Sequence, residues 1–149
     1  MGLGKTLQTI SLLTYLREAR GVEGPHLVVV PKSVVGNWIK EFNHWCPDIS
    51  AIKMGGKREE RDRFIKQDFP MVDGKYTWDV LVTSYEGLLK EKSKLGKVAW
   101  KYLIIDEAHR IKNENSSLSL AVRLMKTDHR LLITGTPLQN NLVGFPTRW

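Results

Sequence analysis

The sequence predicts an α/β protein in which helices cover both faces of a parallel sheet. Short apolar runs alternate along the chain with longer segments whose apolar residues recur at helical spacing. The clearest runs are residues 27–30, 79–84, 102–105 and 131–133. Runs that do not alternate between apolar and polar residues are typical of strands buried on both faces. At 149 residues the chain has the size of one domain.

Composition and charge exclude several classes of protein. Hydrophobic residues make up 42% of the chain and charged residues 26%, which argues against a disordered tail. Cys46 is the only cysteine, so a disulfide framework and a cysteine-based zinc site are excluded. No apolar run approaches the roughly 18 residues of a membrane span, so no membrane partner is expected. The net charge of +7 permits an anionic partner such as nucleic acid.

The first third of the chain is expected to fold as helix, strand and helix. Leucine and isoleucine recur every three residues over residues 5–20, which predicts an amphipathic helix that ends at Gly21. The strand over residues 27–30 ends at Pro31, and Ser33 can cap the helix that follows. Five apolar side chains share one side of this second helix: Val35, Trp38, Ile39, Phe42 and Trp45.

The middle third contains a possible strand over residues 50–54 and a heavily charged surface helix over residues 57–69. A loop over residues 70–78 leads into the strand over residues 79–84, and a short helix then runs through Leu89.

The last third repeats the alternation of strand and helix. The strand over residues 102–105 ends in Asp106, and Asn115 or Ser116 can cap the next helix. The last strand, over residues 131–133, precedes Gly135 and Pro137.

The amino terminus carries half of a phosphate-binding loop. Gly4-Lys5-Thr6 followed by a helix fits the second half of a P-loop, in which backbone N–H groups and the helix amino end cradle phosphates. Lys5 would reach the β/γ-phosphates, and the Thr6 hydroxyl would hold Mg²⁺. The pattern's first residue would lie ahead of Met1, and the feeding strand is absent. Taken alone, this motif therefore does not distinguish half of a P-loop from a glycine-rich terminus in front of a helix.

The second half of the candidate site follows a buried strand. Residues 102–109 read YLIIDEAH, so Asp106 and Glu107 are expected at the carboxyl edge of the sheet, where α/β proteins bind ligands. Asp106 can hold Mg²⁺ through water, and Glu107 can polarise the water that attacks a γ-phosphate. The alternative is a purely structural role, in which the acidic pair caps the next helix. The upstream GKT motif in an alternating α/β chain favours the nucleotide site.

In combination, these motifs resemble the first ATPase lobe of superfamily-two helicase-like motors. More narrowly, they resemble Swi/Snf-type chromatin-remodelling ATPases of the imitation-switch (ISWI) subfamily. The segments that carry the resemblance are residues 1–9, 30–33, 37–38, 41–42, 82–86, 106–113 (DEAHRIKN) and 132–141 (LITGTPLQNN). They occur in the order that is typical of the family.

The resemblance implies a RecA-like P-loop NTPase lobe that lacks its first strand and is not followed by the second lobe. Residues 1–142 are then a partial N-terminal helicase-like ATP-binding lobe, and residues 143–149 form a divergent tail. We expect the chain to be a fragment of such a lobe.

The resemblance also implies roles for individual residues. Nucleotide binding falls on Gly2, Leu3, Gly4, Lys5 and Thr6. Catalysis falls on Lys5, Asp106 and Glu107, with Thr6 and Asp106 on the metal. Contacts with the DNA backbone fall on Lys32, Thr83, Ser84 and Tyr85. Coupling between the ATP site and DNA falls on His109, Thr134, Gly135 and Thr136.

Other conspicuous residues are assigned to structure. Trp38, Trp45 and Trp100 are predicted to pack in the core, because large aromatic residues at such spacing usually do. Five lysines between residues 90 and 101 are expected on a solvated connection, although contact with DNA stays open.

The implied function is ATP hydrolysis with Mg²⁺ that drives translocation along double-stranded DNA and slides nucleosomes in the nucleus. Remodelling-complex subunits are the expected partners of the whole motor. The arginine finger of such motors lies in the second lobe, so the isolated chain is expected to show little or no turnover. The alternatives are a non-catalytic DNA- or partner-binding module and a non-functional truncated product. Residues 134–141 (TGTPLQNN) argue against an RNA helicase.

Overall fold

The computed structural model describes residues 2–54, 57–67, 69, 72–107 and 116–133. The helices are α1 (Gly2–Arg20), α2 (Val35–Trp45), α3 (Arg58–Gln67), α4 (Tyr85–Lys90), α5 (Lys92–Leu95) and α6 (Ser117–Leu124). The strands are β1 (His26–Val30), β2 (Ala51–Lys53), β3 (Val80–Ser84), β4 (Ala99–Ile105) and β5 (Lys126–Leu132). Within these ranges, no helix is long and apolar enough to cross a membrane.

The five strands of the described residues are all parallel and lie in the order β2-β3-β1-β4-β5. The central strand β1 pairs residue by residue with β3 on one side and with β4 on the other. Every side chain of β1 and β3 is buried, as their unbroken apolar runs predict. The predicted parallel sheet is confirmed.

Two apolar layers cover the sheet, because successive side chains of a strand point to opposite faces. On one face, Val28 and Val30 of β1 pack with Ile10 of α1 and with Trp38 and Phe42 of α2. On the other face, alternate strand residues pack with side chains of α3, α4, α5 and α6; these include Leu27, Val29, Phe64, Leu88, Leu95 and Leu118. Helices therefore cover both faces, as the sequence predicts.

The first helix begins earlier than predicted. α1 starts at Gly2, so Gly2, Leu3 and Gly4 lie in its first turn and do not form the expected phosphate loop. A phosphate loop is held open by the strand before it and by the anion that it binds. The backbone of residues 2–4 is helical instead, a conformation that glycine adopts without steric cost.

Three local predictions are wrong for identifiable reasons. Ser33 does not cap α2, because it lies within a 3₁₀ turn over Lys32–Val34 and the capping position falls on Val34. Trp45 is 52% exposed, since it ends α2 where the helix leaves the core. β5 begins at Lys126, five residues before the predicted start, because charged residues along this edge strand hide its periodicity. Trp38 and Trp100 are buried, as predicted.

Candidate functional site

Most of the residues of the predicted site that the structure describes lie at the carboxyl edge of the sheet. Because the strands are parallel, β1, β3, β4 and β5 all end at this edge. α1 leads into the amino end of β1 through a short connection, so the amino end of α1 lies at the same carboxyl edge. Lys5 of α1, Lys32 after β1, Tyr85 after β3 and Asp106 after β4 are thereby brought to one side of the molecule.

Asp106 is held by hydrogen bonds through both its backbone and its side chain. Its backbone N–H donates to the Val29 carbonyl at 2.9 Å, which extends the pairing of β4 with β1. The Glu107 backbone N–H donates to Asp106 Oδ1 at 2.9 Å, and Trp38 Nε1 donates to Asp106 Oδ2 at 3.3 Å. The Tyr85 hydroxyl donates to the Asp106 carbonyl. Asp106 therefore has a fixed orientation at the strand end.

Glu107 adopts a backbone conformation that non-glycine residues rarely use. Its φ is 57°, in the left-handed region. Such conformations persist only where surrounding contacts determine them, and they cluster at functional sites. The hydrogen bond from the Glu107 N–H to the Asp106 carboxylate is one of these contacts. The turn thus places two adjacent acidic residues directly after β4 at the sheet edge.

The electrostatics link Asp106 with Lys5. Burial raises the pKa of Asp106 above its usual range, and the negative charge of Glu107 acts in the same direction. The hydrogen bonds from Trp38 and from the Glu107 N–H lower this pKa, and so does the positive charge of Lys5. The effect of Lys5 on this pKa agrees with the position of both residues at the same edge of the sheet.

The remaining residues that were predicted to bind nucleotide lie along the first turns of α1. The backbone of Gly2, Leu3 and Gly4 is helical, and the Lys5 carbonyl accepts a hydrogen bond from Thr9 Oγ1 at 3.0 Å. Thr6, predicted as a metal ligand, is buried with 4% of its surface exposed. A groove of about 320 Å³ runs between α1 and the end of β5, lined by Lys5, Gln8, Thr9, Leu12, Leu131, Leu132 and Ile133.

The four residues predicted to contact DNA have different surroundings. Lys32 is exposed directly after β1. Thr83 has no exposed surface, because β3 is covered on both faces. Its side chain is therefore not accessible to DNA. The Ser84 hydroxyl caps α4 by accepting from the Gly87 N–H at 3.0 Å. Tyr85 is half-buried and donates its hydroxyl proton to Asp106.

The predicted coupling residues His109, Thr134, Gly135 and Thr136 lie outside the described residues. Within the described ranges, no group of three or more histidine, cysteine, aspartate or glutamate side chains could hold a metal ion. Proteins commonly bind Mg²⁺ through one or two carboxylates together with substrate phosphates. Asp106 supplies a carboxylate of this kind, and its contacts to Trp38 and Glu107 are of the sort that orient a ligand.

Sequence reasoning assigned Trp38 to the core and missed its contact with Asp106. Trp38 is 2% exposed and packs beside Phe42, so its burial was correctly predicted. A buried indole N–H usually finds a hydrogen-bond partner, which was the one available signal. The partner could not be named, because 68 residues separate Trp38 from Asp106.

Comparison with known proteins gives consistent results along the chain. A protein-family model described as "SNF2-related domain" matches residues 1–146. The ISWI chromatin-remodeling complex ATPase CHR11 of Arabidopsis thaliana is 61% identical over 142 residues, which are 95% of this chain and 13% of that protein. The human SWI/SNF-related matrix-associated actin-dependent regulator of chromatin subfamily A member 1 is 56% identical, with the same two coverages.

A solved structure resembles this fold. The SWI2/SNF2 ATPase core of Sulfolobus solfataricus, determined in complex with double-stranded DNA, superimposes with a TM-score of 0.77 at 34% identity. The match covers 95% of this chain and 27% of that one. The resemblance and the fold class predicted from the motifs are both confirmed. The chain spans about one eighth of the length of these two curated relatives.

Proposed function

Because this chain belongs to the family of SNF2-related domains, we propose that it forms part of the first lobe of an ATP-hydrolysing, DNA-dependent motor that slides nucleosomes. The names of its ISWI relatives describe chromatin-remodeling ATPases, and the similar solved core is in complex with double-stranded DNA. A chromatin motor works in the nucleus, which is the location that we propose for the parent protein.

The observation that carries this proposal is that Lys5 of α1 and Asp106 after β4 lie at the same edge of the sheet, where the positive charge of Lys5 lowers the pKa of Asp106. ATP hydrolysis depends on positioning and on neutralising phosphate charge, so a cation and a carboxylate are needed around one triphosphate. Lys5 contributes positive charge to the phosphates, and Asp106 offers an oxygen ligand to Mg²⁺. When bound, Mg²⁺ supplies charge that stabilises the transferring phosphoryl group.

Glu107 is the proposed residue that orients the attacking water. Its carboxylate is half-buried and follows a left-handed backbone position, so the side chain starts from a fixed point beside Asp106. A carboxylate in this place can accept a hydrogen bond from water and polarise it. Lys5, Asp106 and Glu107 thus have separate tasks: phosphate charge, metal binding and water activation.

DNA is proposed to pass the same edge of the sheet. Lys32 offers an exposed charge for a phosphate, and the ends of β1 and β3 lie side by side in the sheet. Contacts to the backbone would recognise shape and charge without reading bases. Nucleosomes and remodelling-complex subunits are the proposed partners of the whole motor.

Binding of ATP to the isolated chain tests the site. We expect Lys5→Ala to weaken ATP–Mg²⁺ binding by about 10- to 100-fold in calorimetric titration, which corresponds to one charged contact. Lys66→Ala removes an exposed lysine from α3, on the other face of the sheet, and is expected to leave the affinity unchanged. Equal losses in both variants would argue against a phosphate contact at Lys5.

Turnover tests a separate part of the proposal. We expect ATP hydrolysis by the isolated chain to stay near background with or without duplex DNA, because the transition-state arginine comes from the second lobe. Hydrolysis that rises with duplex DNA and disappears in Glu107→Gln would contradict this half-site prediction. DNA binding that persists in Lys5→Ala without any turnover would favour a non-catalytic binding module.

A further inference from the structure

The contact between Trp38 and Asp106 joins the core of α2 to the acidic turn after β4. Trp38 Nε1 donates to Asp106 Oδ2 at 3.3 Å, while Asp106 Oδ1 accepts from the Glu107 N–H at 2.9 Å. The carboxylate therefore has one fixed donor on each oxygen. Because Trp38 is packed among Val30, Phe42 and neighbouring residues in the core, its ring cannot swing away without disrupting that packing.

The chemistry of this donor suits a metal-binding carboxylate. An arginine or lysine on Asp106 Oδ2 would neutralise the carboxylate and compete with a cation. The indole N–H is neutral, so it fixes the orientation of the carboxylate and leaves its charge in place. Each carboxylate oxygen accepts more than one hydrogen bond or ligand, so the contact with Trp38 does not block coordination. Groups that hold metal ligands in this way commonly affect metal affinity.

The position of Trp38 along the chain links Asp106 with the segment that carries Lys32. α2 begins three residues after Lys32, and Trp38 lies one turn into this helix. The end of β1, the 3₁₀ turn at Lys32–Val34 and α2 thus form one continuous path from an exposed cation to the Asp106 carboxylate. Tyr85, at the end of β3, reaches the carbonyl of the same aspartate. Trp38 in the helix that follows β1 and Tyr85 directly after β3 therefore both contact Asp106.

We propose that Trp38 is a positioning residue for the nucleotide site: its indole N–H orients the Asp106 carboxylate toward Mg²⁺ and connects α2 with that carboxylate. This inference rests on the proposed ATP site. Trp38 touches neither nucleotide nor metal, so its effect is on the affinity for the metal–nucleotide complex.

Calorimetric titration with ATP provides the first test, with Mg²⁺ present or removed by chelation. Trp38→Phe keeps an aromatic ring in the core and removes the N–H donor. We expect it to weaken ATP binding by about 10- to 100-fold when Mg²⁺ is present, and by much less when it is absent. Trp100→Phe is the matched control, because Trp100 is equally buried but donates to the Leu95 carbonyl. Its affinity should stay within twofold of the parent. Equal affinities in the two variants would overturn the proposal.

Nuclear magnetic resonance gives a test that does not depend on nucleotide binding. The indole ¹H–¹⁵N resonance of Trp38 is identified by its loss in Trp38→Phe. If that variant fails to fold, it is identified by elimination, from the resonances lost when each of the other four tryptophans is changed singly to phenylalanine. We expect Asp106→Ala to shift this resonance upfield and to speed its exchange with solvent, because the acceptor is gone. The Trp100 resonance should not move. An unchanged Trp38 resonance in Asp106→Ala would overturn the positioning role.

The two tests separate failure of this inference from failure of the proposed function. A parent chain that binds no ATP–Mg²⁺ while Trp38 responds to Asp106→Ala would contradict the nucleotide site and support the Trp38 contact. A parent chain that binds ATP–Mg²⁺ while Trp38 does not respond would support the nucleotide site and contradict the contact.

Discussion

Arg61 of α3 and Glu91 at the start of α5 form a buried ion pair, with Arg61 Nε 2.9 Å from Glu91 Oε2. Their side chains are only 8% and 11% exposed, although α3 as a whole is among the most charged segments of the chain. Removal of one partner from such a pair leaves the other charge uncompensated in the interior. The pair joins α3 to the junction between α4 and α5.

Glu91→Gln is therefore expected to lower the free energy of unfolding by about 3 kcal/mol, measured by urea denaturation. The control is Asp62→Asn in the pair between Arg58 and Asp62, which are 84% and 53% exposed. Exposed pairs contribute little, so this change should stay within about 0.5 kcal/mol. Similar losses in both variants would show that burial does not distinguish the two pairs.

Gly87 permits the close approach of α4 to β3. A Cβ atom built at Gly87 would collide with the Thr83 hydroxyl and lie 3.4 Å from Ser84 Oγ. We expect Gly87→Ala to destabilise the fold by about 1–3 kcal/mol through overpacking. Gly36→Ala is the control, because a Cβ there meets nothing within 4 Å and Gly36 lies in α2. That change should stabilise the fold by about 0.5–1 kcal/mol, since alanine favours helix. A Gly87→Ala variant as stable as the parent would contradict the packing explanation.

Burial of His26 is expected to make the stability of the fold sensitive to acid. Burial lowers the pKa of His26 from 6.5 to about 4, and the positive charge of Lys101 acts in the same direction. Its ring lies edge-on to Tyr102, with centroids 5.8 Å apart, and its Nδ1 has no hydrogen-bond partner. Between pH 6.5 and about pH 4, His26 is protonated in the unfolded chain and neutral in the folded chain. The stability contributed by neutral His26 is thus complete above pH 6.5 and is lost as the pH falls toward 4.

His26→Phe should reduce this loss. By linkage, the variant is expected to lose roughly 2 kcal/mol less than the parent between pH 7 and pH 4.5, measured by urea denaturation at each pH. His44→Gln, at an exposed position of α2, provides the comparison and should keep the acid sensitivity of the parent. Parallel pH profiles for His26→Phe and the parent would count against burial of a neutral imidazole.

Two serines near predicted helix starts should differ in their contributions to stability. Ser84 caps α4 through the Gly87 N–H, whereas Ser33 makes no capping bond to α2. We expect Ser84→Ala to cost about 1 kcal/mol and Ser33→Ala to change the unfolding free energy by less than about 0.5 kcal/mol. Equal effects in thermal denaturation would contradict this assignment of the caps.

The sequence predicted the interior of the sheet better than its margins, for physical reasons. β1 is buried on both faces, so its run of valines has no polar alternation and is recognised directly. β5 lies at the edge of the described sheet and carries Lys126, Asp128 and Arg130, so its periodicity resembles that of a loop. Trp45 shares the apolar side of α2 with Trp38, yet only the structure shows that the helix end projects beyond the core.

The candidate site was predictable to a similar extent. A parallel sheet brings strand ends to one edge, and from this argument Lys5 and Asp106 were predicted to lie at the same edge. The contact of Trp38 with Asp106 depends on side-chain directions across two elements, which spacing along the chain does not encode. Thr83 illustrates the opposite case: its motif suggested contact with DNA, but its strand position buries it completely.

The two outer strands of the described sheet also have a consequence for self-association. β2 is three residues long, and β5 presents alternating charges along much of its length. Short strands and charged strands are poor templates for adding another chain by backbone pairing. The ion pair between Lys101 and Asp128, 3.7 Å apart, further ties the β5 charges to the neighbouring strand. The isolated chain should therefore resist fibril growth better than its apolar central strands alone would suggest.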